Sequence, residues 1–354
     1  MSNVTMSIKA GSGRPLISKC FSKKMKDKKA KVFFSKNIEK ILAQIDFSKL
    51  GKKVAIKVHF GEKGCNTYIN PVIARKVYEK IKSLGKEATL AECNVLYKGS
   101  RTNRADHLKT AREHGFDMPI DILDGEFGKD FVEINGCKIG KGIEKYDSLV
   151  VLSHFKGHMA AGFGGALKNL GMRLGSRAGK LDMHSTIRPS VTQEKCVGCG
   201  VCVKNCNAEA IFLEVGKAKI DEEKCEGCAM CISVCESGAV SVPWGGGTPE
   251  RLQKKIAEYA VAILSRFPEA IFINVLENIT KECDCMGLKQ KPMMEDVGIV
   301  FSDDIVAIDR ASLDLANKFS DGQFAKINSI DKDKQIQSAA EFKLGSVDYD
   351  LVEL

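Results

Sequence analysis

Two short runs of the chain, KCVGCGVCVKNC at 195–206 and KCEGCAMCISVC at 224–235, each carry four cysteines spaced C-x2-C-x2-C-x3-C. Three thiolates at that spacing wrap one face of an iron–sulfur cubane, and the fourth points away toward a neighbouring cluster. The spacing therefore predicts crossed ligation. Cys196, Cys199, Cys202 and Cys235 should hold one [4Fe–4S] cluster, and Cys225, Cys228, Cys231 and Cys206 the other. Gly198 and Gly227 let the backbone turn close to sulfur and offer amides to it. Zinc also binds sets of four cysteines, but its usual pattern is paired C-x2-C units across a longer loop, not two identical triplets each followed by a lone cysteine. Asn207 and Glu236 follow the fourth cysteines in place of the Pro of the bacterial pattern, which removes no ligand.

Chemistry outside these runs concentrates in two places. SHFKGHMAAGFGGALKNLGMRLGSRAGK at 153–180 leaves an apolar run and enters a glycine-rich stretch before a helical pattern. His154, Lys156 and His158 are candidate catalytic groups, able to act as metal ligands, proton donors or anion binders. Three of the six histidines (154, 158 and 184) flank this segment, although a single histidine is more often a hydrogen-bonded structural residue. Gly162, Gly164 and Gly165 would let backbone amides approach an anionic cofactor, with Lys168 or Lys180 supplying charge. Close strand–helix packing explains the same glycines equally well. No nucleotide fingerprint is matched: G-x-G-x-x-G fails at Leu167, and GSRAGKL is one residue short of a phosphate-binding loop.

The second place is ECDCMG at 282–287. Alternate residues of an extended segment face the same way, so Cys283 and Cys285 can reach one metal ion. The competing account makes them two small buried apolar residues.

The elements that must position these groups follow from periodicity. KVAIKVH (53–59), ATLAE (88–92), SLVVLSH (148–154), AIFINVLE (270–277) and VGIVF (297–301) read as strands. FVEINGCKIG (131–140) reads as a hairpin with an Asn-Gly turn. Helices are expected after Asn70-Pro71, over 108–114, after Thr248-Pro249 and over 308–319. Strands alternating with helices on both sides of the cysteine runs predict a discontinuous α/β domain with a largely parallel sheet, residues 31–190 plus 246–354. A small α+β ferredoxin-like module, 191–245, interrupts it. In open sheets of this kind ligands collect at the carboxyl ends of the strands. There His154, Lys156 and His158 should meet the 162–168 loop, with His59 and Glu62 on the opposite wall.

Charge separates the body from its N-terminus. Residues 1–37 hold nine Lys and one Arg against Asp27, which is all of the +9 net charge, so the remainder is balanced. A balanced body argues against nucleic-acid binding. Residues 1–30 read as a basic, solvated arm; organellar import through it is the minority reading beside a cytoplasmic location. No apolar run approaches the roughly 18 residues of a membrane span. Fourteen cysteines in a chain of this size, eight of them in the quartets, point to a reduced intracellular setting with little oxygen.

The chain resembles the family of uncharacterised Fe–S centre proteins described as domain-of-unknown-function family 362. The resemblance rests on VAIKVHFGEKG (54–64), LYKGSRTNRADHL (96–108), LSHFKGHMAAGFGGALKNLGMRLGSRAGKLDMHS (152–185), both cysteine runs, ECDCMG and DDIVAIDRASLDL (303–315). It covers about residues 31–319 and implies an α/β domain interrupted by a bacterial-type two-cluster ferredoxin module. Arg173 stands where the family's LGMG run has its second glycine, a departure that bears on backbone packing there. The expected function is that of a low-potential oxidoreductase passing electrons through two [4Fe–4S] clusters to a small-molecule substrate or further cofactor, a metal or another small ligand, at the strand ends. A donor or acceptor protein is the expected partner. The alternative is a non-catalytic electron carrier or metallocentre-assembly factor that docks a partner protein.

Overall fold

A computed structural model of the chain describes residues 29–184, 188–242 and 247–354. Eight strands form one sheet: β1 (Ala30–Ser35), β2 (Lys53–Lys57), β3 (Glu87–Glu92), β4 (Ile120–Ile122), β5 (Ser148–His154), β6 (Ile271–Leu276), β7 (Gly298–Ser302) and β8 (Tyr349–Glu353). Their order is β8-β1-β7-β6-β5-β2-β3-β4. All neighbours are parallel except β7, which runs antiparallel to both β1 and β6. The sheet is thus a mostly parallel one in an α/β fold. Strands before and after the cysteine runs share it, with β6 registered on β5 from Ile271 opposite Val150 to Val275 opposite His154.

β5 is buried along all seven residues, as a strand covered on both faces must be. Leu149 and Val151 face a core closed by the helices Ala166–Leu174, Pro249–Leu264 and Ile305–Phe319. Val150 and Leu152 face the opposite core, under Ile38–Gln44 and Pro71–Ser83. The hairpin Phe131–Ile134/Cys137–Gly140 turns through Asn135 and Gly136, both at positive φ (51° and 78°). That is the backbone an Asn-Gly turn supplies.

Some boundaries differ from the sequence reading. The third helix begins at Arg104, capped by Asn103, and the helix expected over 308–319 begins at Ile305, where Asp304 accepts the amides of Val306 and Ala307; a further helix, Asp333–Glu341, follows it. β1 and β8 were not expected as strands. They pair in parallel at one edge, and β1 begins at Ala30. The basic arm up to residue 28 lies outside the described residues.

Residues 190–241 build two small antiparallel pairs, Ser190–Val191 with Val240–Ser241 and Ile211–Glu214 with Lys217–Ile220, around the helices Val201–Lys204 and Met230–Val234. Their apolar core also takes in Leu96 and Leu181 from the α/β part. Among the described residues no helix is long and apolar enough to cross a membrane.

Candidate functional site

The eight clustered cysteines line two cavities. One is walled by Cys196, Cys199, Cys202 and Cys235, the other by Cys206, Cys225, Cys228 and Cys231. Each cavity thus draws three thiols from one run and the fourth from the other. Backbone amides already face sulfur: Ala218 donates to Cys196 Sγ at 3.3 Å, Ala210 to Cys206 Sγ at 3.3 Å and Val240 to Cys235 Sγ at 3.5 Å. Gly198 and Gly227 both sit at φ +68°, the left-handed conformation that turns the first two thiols of each run inward. A Cβ at Gly198 would collide with the Gly216 carbonyl. All thirteen described cysteines are free of disulfides.

At the carboxyl ends of β2, β3, β5 and β6 lies a second assembly, built from buried charge. Lys57 Nζ reaches Glu92 Oε1 at 2.8 Å and Asn169 Oδ1 at 3.0 Å, and burial pushes this lysine down to about 8. His59 Nδ1 lies 2.9 Å from Glu92 Oε2 and 2.9 Å from Nη1 of both Arg101 and Arg173. Burial, and then Arg173 and Arg101, hold His59 well below its ordinary value, and its Nε2 has no hydrogen-bond partner among the described residues. Arg101 also pairs with Glu62 at 3.2 Å. Burial alone would raise Glu62, but Arg101 and Ser100 bring it below the usual carboxylate value. The Glu62 amide donates to the Asp284 carbonyl at 2.9 Å, which sets the 58–66 loop against ECDCMG.

ECDCMG is where the sequence-predicted groups converge. His154 Nδ1 lies 2.9 Å from the Asp284 carboxylate and its Nε2 2.9 Å from the Glu277 carbonyl, so both ring nitrogens are engaged by oxygen. Lys156 Nζ donates to the His154 carbonyl at 2.7 Å and pairs with Asp284 at 3.1 Å. His158 sits on the short hairpin Lys156–His158/Gly162–Gly164, tied to the segment leading into ECDCMG by the Gly157 amide, which donates to the Thr280 carbonyl at 2.8 Å. One nitrogen of His158 and the sulfurs of Cys283 and Cys285 lie within 4.8 Å of one another, a separation that a single metal ion can span. Arg173 Nη2 donates to Cys283 Sγ at 3.1 Å. A hydrogen bond from Cys285, with Lys168, Arg173 and Lys156 nearby, holds the Cys283 thiol well below its ordinary value. Lys168 is pushed down to about 8 by burial, against the pull of Cys283.

The glycine-rich loop leads into a helix whose N-terminus is capped from within the protein. The first amides of the helix Ala166–Leu174 are taken by the protein's own Asp309: Ala166 N donates to Oδ1 at 2.7 Å and Leu167 N to Oδ2 at 2.9 Å. Asn274 Nδ2 adds a third bond at 2.8 Å. A Cβ at Gly165 would run into this carboxylate, and one at Gly162 would meet Lys332 Cγ at 2.9 Å. Those two helix-terminal amides are thus taken by an internal side chain, and Gly162 and Gly165 sit where packing leaves no room for a Cβ. At Gly164 a Cβ would meet only ordinary contacts with Lys156 and Lys168.

A loop from β3 joins the two assemblies. Tyr97 Oη donates to the Cys285 carbonyl at 3.0 Å and accepts from Arg101 Nη2 at 2.8 Å. Its neighbour Lys98 donates to the carbonyl of Glu236, the residue after Cys235. Leu96 packs among the module's cysteines, and its carbonyl accepts from Arg177 at 3.4 Å. Sequence reasoning missed Lys57, Glu92, Arg101 and Arg173. The available signal was a charged residue inside each of the apolar strands KVAIKVH and ATLAE, which a buried strand tolerates only when the charge is paired.

No curated protein matches the chain. Among solved structures it is similar to the lactate racemase apoprotein from Thermoanaerobacterium thermosaccharolyticum, with 14% identity, 70% of this chain and 50% of that one covered, and a TM-score of 0.34. It is also similar to a protein from Thermotoga maritima, with 11% identity, 67% and 49% covered, and a TM-score of 0.32. The chain spans about half the length of each. The family model described as Domain of unknown function (DUF362) matches residues 54–314, and the chain belongs to that family.

Proposed function

We propose that the chain is an iron–sulfur oxidoreductase whose residues 190–241 hold two [4Fe–4S] clusters and whose strand-end assembly is where the electrons are used. The observation that carries this is the division of eight cysteines into two cavities, each lined by a full crossed quartet. Amides aimed at Cys196, Cys206 and Cys235 add the hydrogen bonds that cluster sulfurs and their ligands accept. Bound there, the clusters would supply one-electron transfer at low potential. Cys199 is exposed beside Val197 (72% exposed), Val201 and Leu213, an apolar face suited to docking an electron-donor protein. From the cysteines inward, the 96–102 loop gives continuous contact to Cys285 through Lys98 and Tyr97.

At the far end of that loop, the chain's own residues favour a negatively charged reactant. Lys57, Arg101, Lys156, Lys168 and Arg173 are buried there against the carboxylates of Glu62, Glu92 and Asp284. Such an excess of buried cations calls for an anionic partner. Anaerobic reconstitution followed by iron and sulfide analysis tests the proposal. About eight of each per chain is the expected result. Stoichiometric zinc with no iron under the same conditions would overturn it.

A further inference from the structure

The triangle of His158, Cys283 and Cys285 lies outside the ferredoxin module and is not needed for the eight-cysteine assignment. We propose that it is a third metal centre, a three-ligand site for a thiolate-preferring divalent ion such as zinc, with the fourth position open to an anionic oxygen ligand. This goes beyond the cluster assignment and stands or falls separately.

The donor set is the first argument. One imidazole nitrogen and two thiols within 4.8 Å form a set that suits zinc-like ions, and three protein ligands leave a coordination position free, as in catalytic sites. Support of the donors is the second. His158 Nδ1 accepts the amides of Ala160 at 3.1 Å and Ala161 at 3.0 Å, which fixes the orientation of the ring. The thiol protons leave on metal binding, whereas the imidazole binds as the neutral ring. Arg173 holds the Cys283 sulfur at 3.1 Å. Such supporting bonds orient the groups that touch a metal.

Charge gives the ligand class. Lys57, Arg101 and Lys156 each have a carboxylate within ion-pair distance, whereas Lys168 and Arg173 form no carboxylate ion pair among the described residues. Two thiolates, a neutral imidazole, one dication and these two cations sum to two positive charges. An anionic oxygen group, such as a carboxylate, in the open position offsets that excess.

The test uses the full chain with its clusters reconstituted, washed with a chelator and then titrated anaerobically with zinc chloride. Zinc and iron are counted together after gel filtration. Wild-type protein should retain about one zinc per chain beside its iron, with two sulfur scatterers at the zinc absorption edge. Cys283→Ser and His158→Ala should each weaken zinc retention by about tenfold or more while the iron count, which also reports folding, stays unchanged. Acetate should tighten zinc retention in wild type and lose that effect in Arg173→Met. Cys199→Ser should lower iron and keep the zinc, so failure of the cluster assignment and failure of this one are read separately. Absence of retained zinc in the wild type, or retention indifferent to Cys283→Ser and His158→Ala, would overturn the metal centre. An acetate effect that persists in Arg173→Met would overturn the anion assignment.

Discussion

Arg173 reaches two loops with one buried guanidinium: Nη2 donates to Cys283 Sγ at 3.1 Å, and Nη1 lies 2.9 Å from His59 Nδ1. It thereby joins the segment after β2 to ECDCMG, across the carboxyl ends of the central strands. It sets a cation against the Cys283 thiol, which is held well below its ordinary value first by a hydrogen bond from Cys285. Arg173→Met should keep the apolar stem, remove that charge and weaken zinc retention by about tenfold to a hundredfold, the usual effect of losing a group that supports a metal ligand. The zinc titration of the reconstituted protein checks it, and unchanged retention would show that Arg173 serves packing alone.

Asp309 caps the helix Ala166–Leu174 from inside the protein and takes two amides and the Asn274 side chain. Asp309→Ala would strand three buried donors. Losses of about 1–3 kcal/mol for each stranded donor group set the scale, so a marked fall in the urea midpoint is expected. A midpoint within error of wild type would mean that water replaces the carboxylate.

Gly157 lies against the Lys281 carbonyl and Ile327, and a Cβ there would collide with both. Gly157→Ala should push the His158 hairpin off ECDCMG, costing about 1–3 kcal/mol of stability. If His158 is a ligand, zinc retention falls with it while iron stays. Loss of stability with full zinc retention would detach His158 from the metal.

His59 and His107 are both held well below the ordinary 6.5, first by burial and then by neighbouring cations. Below about pH 6.5 the unfolded chain takes up protons that the fold refuses, so stability should fall as the pH drops. Neither nitrogen of His107 has a partner among the described residues, and its ring meets Phe60 edge-on at 5.7 Å. His107→Phe should therefore be neutral or stabilising and should flatten the acid slope by about one proton. Urea unfolding across pH 5–7 reads the slope directly, and an unaltered slope in this variant would contradict the assignment.

What the sequence made legible follows from how local each signal is. The grouping of the cysteines into two cavities was readable because three of each set lie within seven residues, and the crossed fourth follows from the repeat. β5 was readable because a strand buried on both faces must be a continuous apolar run. The pairing of Lys57 with Glu92 was not, because it depends on β2 and β3 being neighbours in register, a fact of topology. Asp309 as the cap of a helix begun 143 residues earlier is the same kind of fact. The outermost strand β8 escaped because it is half exposed and carries little apolar patterning, and its neighbour β1 because it follows directly on the basic arm.

The measurement closest to the central claim is the spectroscopic grouping of the eight cysteines. Reconstituted anaerobically and reduced, the wild type should show two [4Fe–4S] signals. Cys235→Ser should perturb the same signal as Cys199→Ser, and Cys206→Ser the same signal as Cys228→Ser, because each cavity is closed by the other run's fourth cysteine. Grouping of Cys206→Ser with Cys199→Ser, or the absence of any iron signal, would contradict the crossed two-cluster assignment.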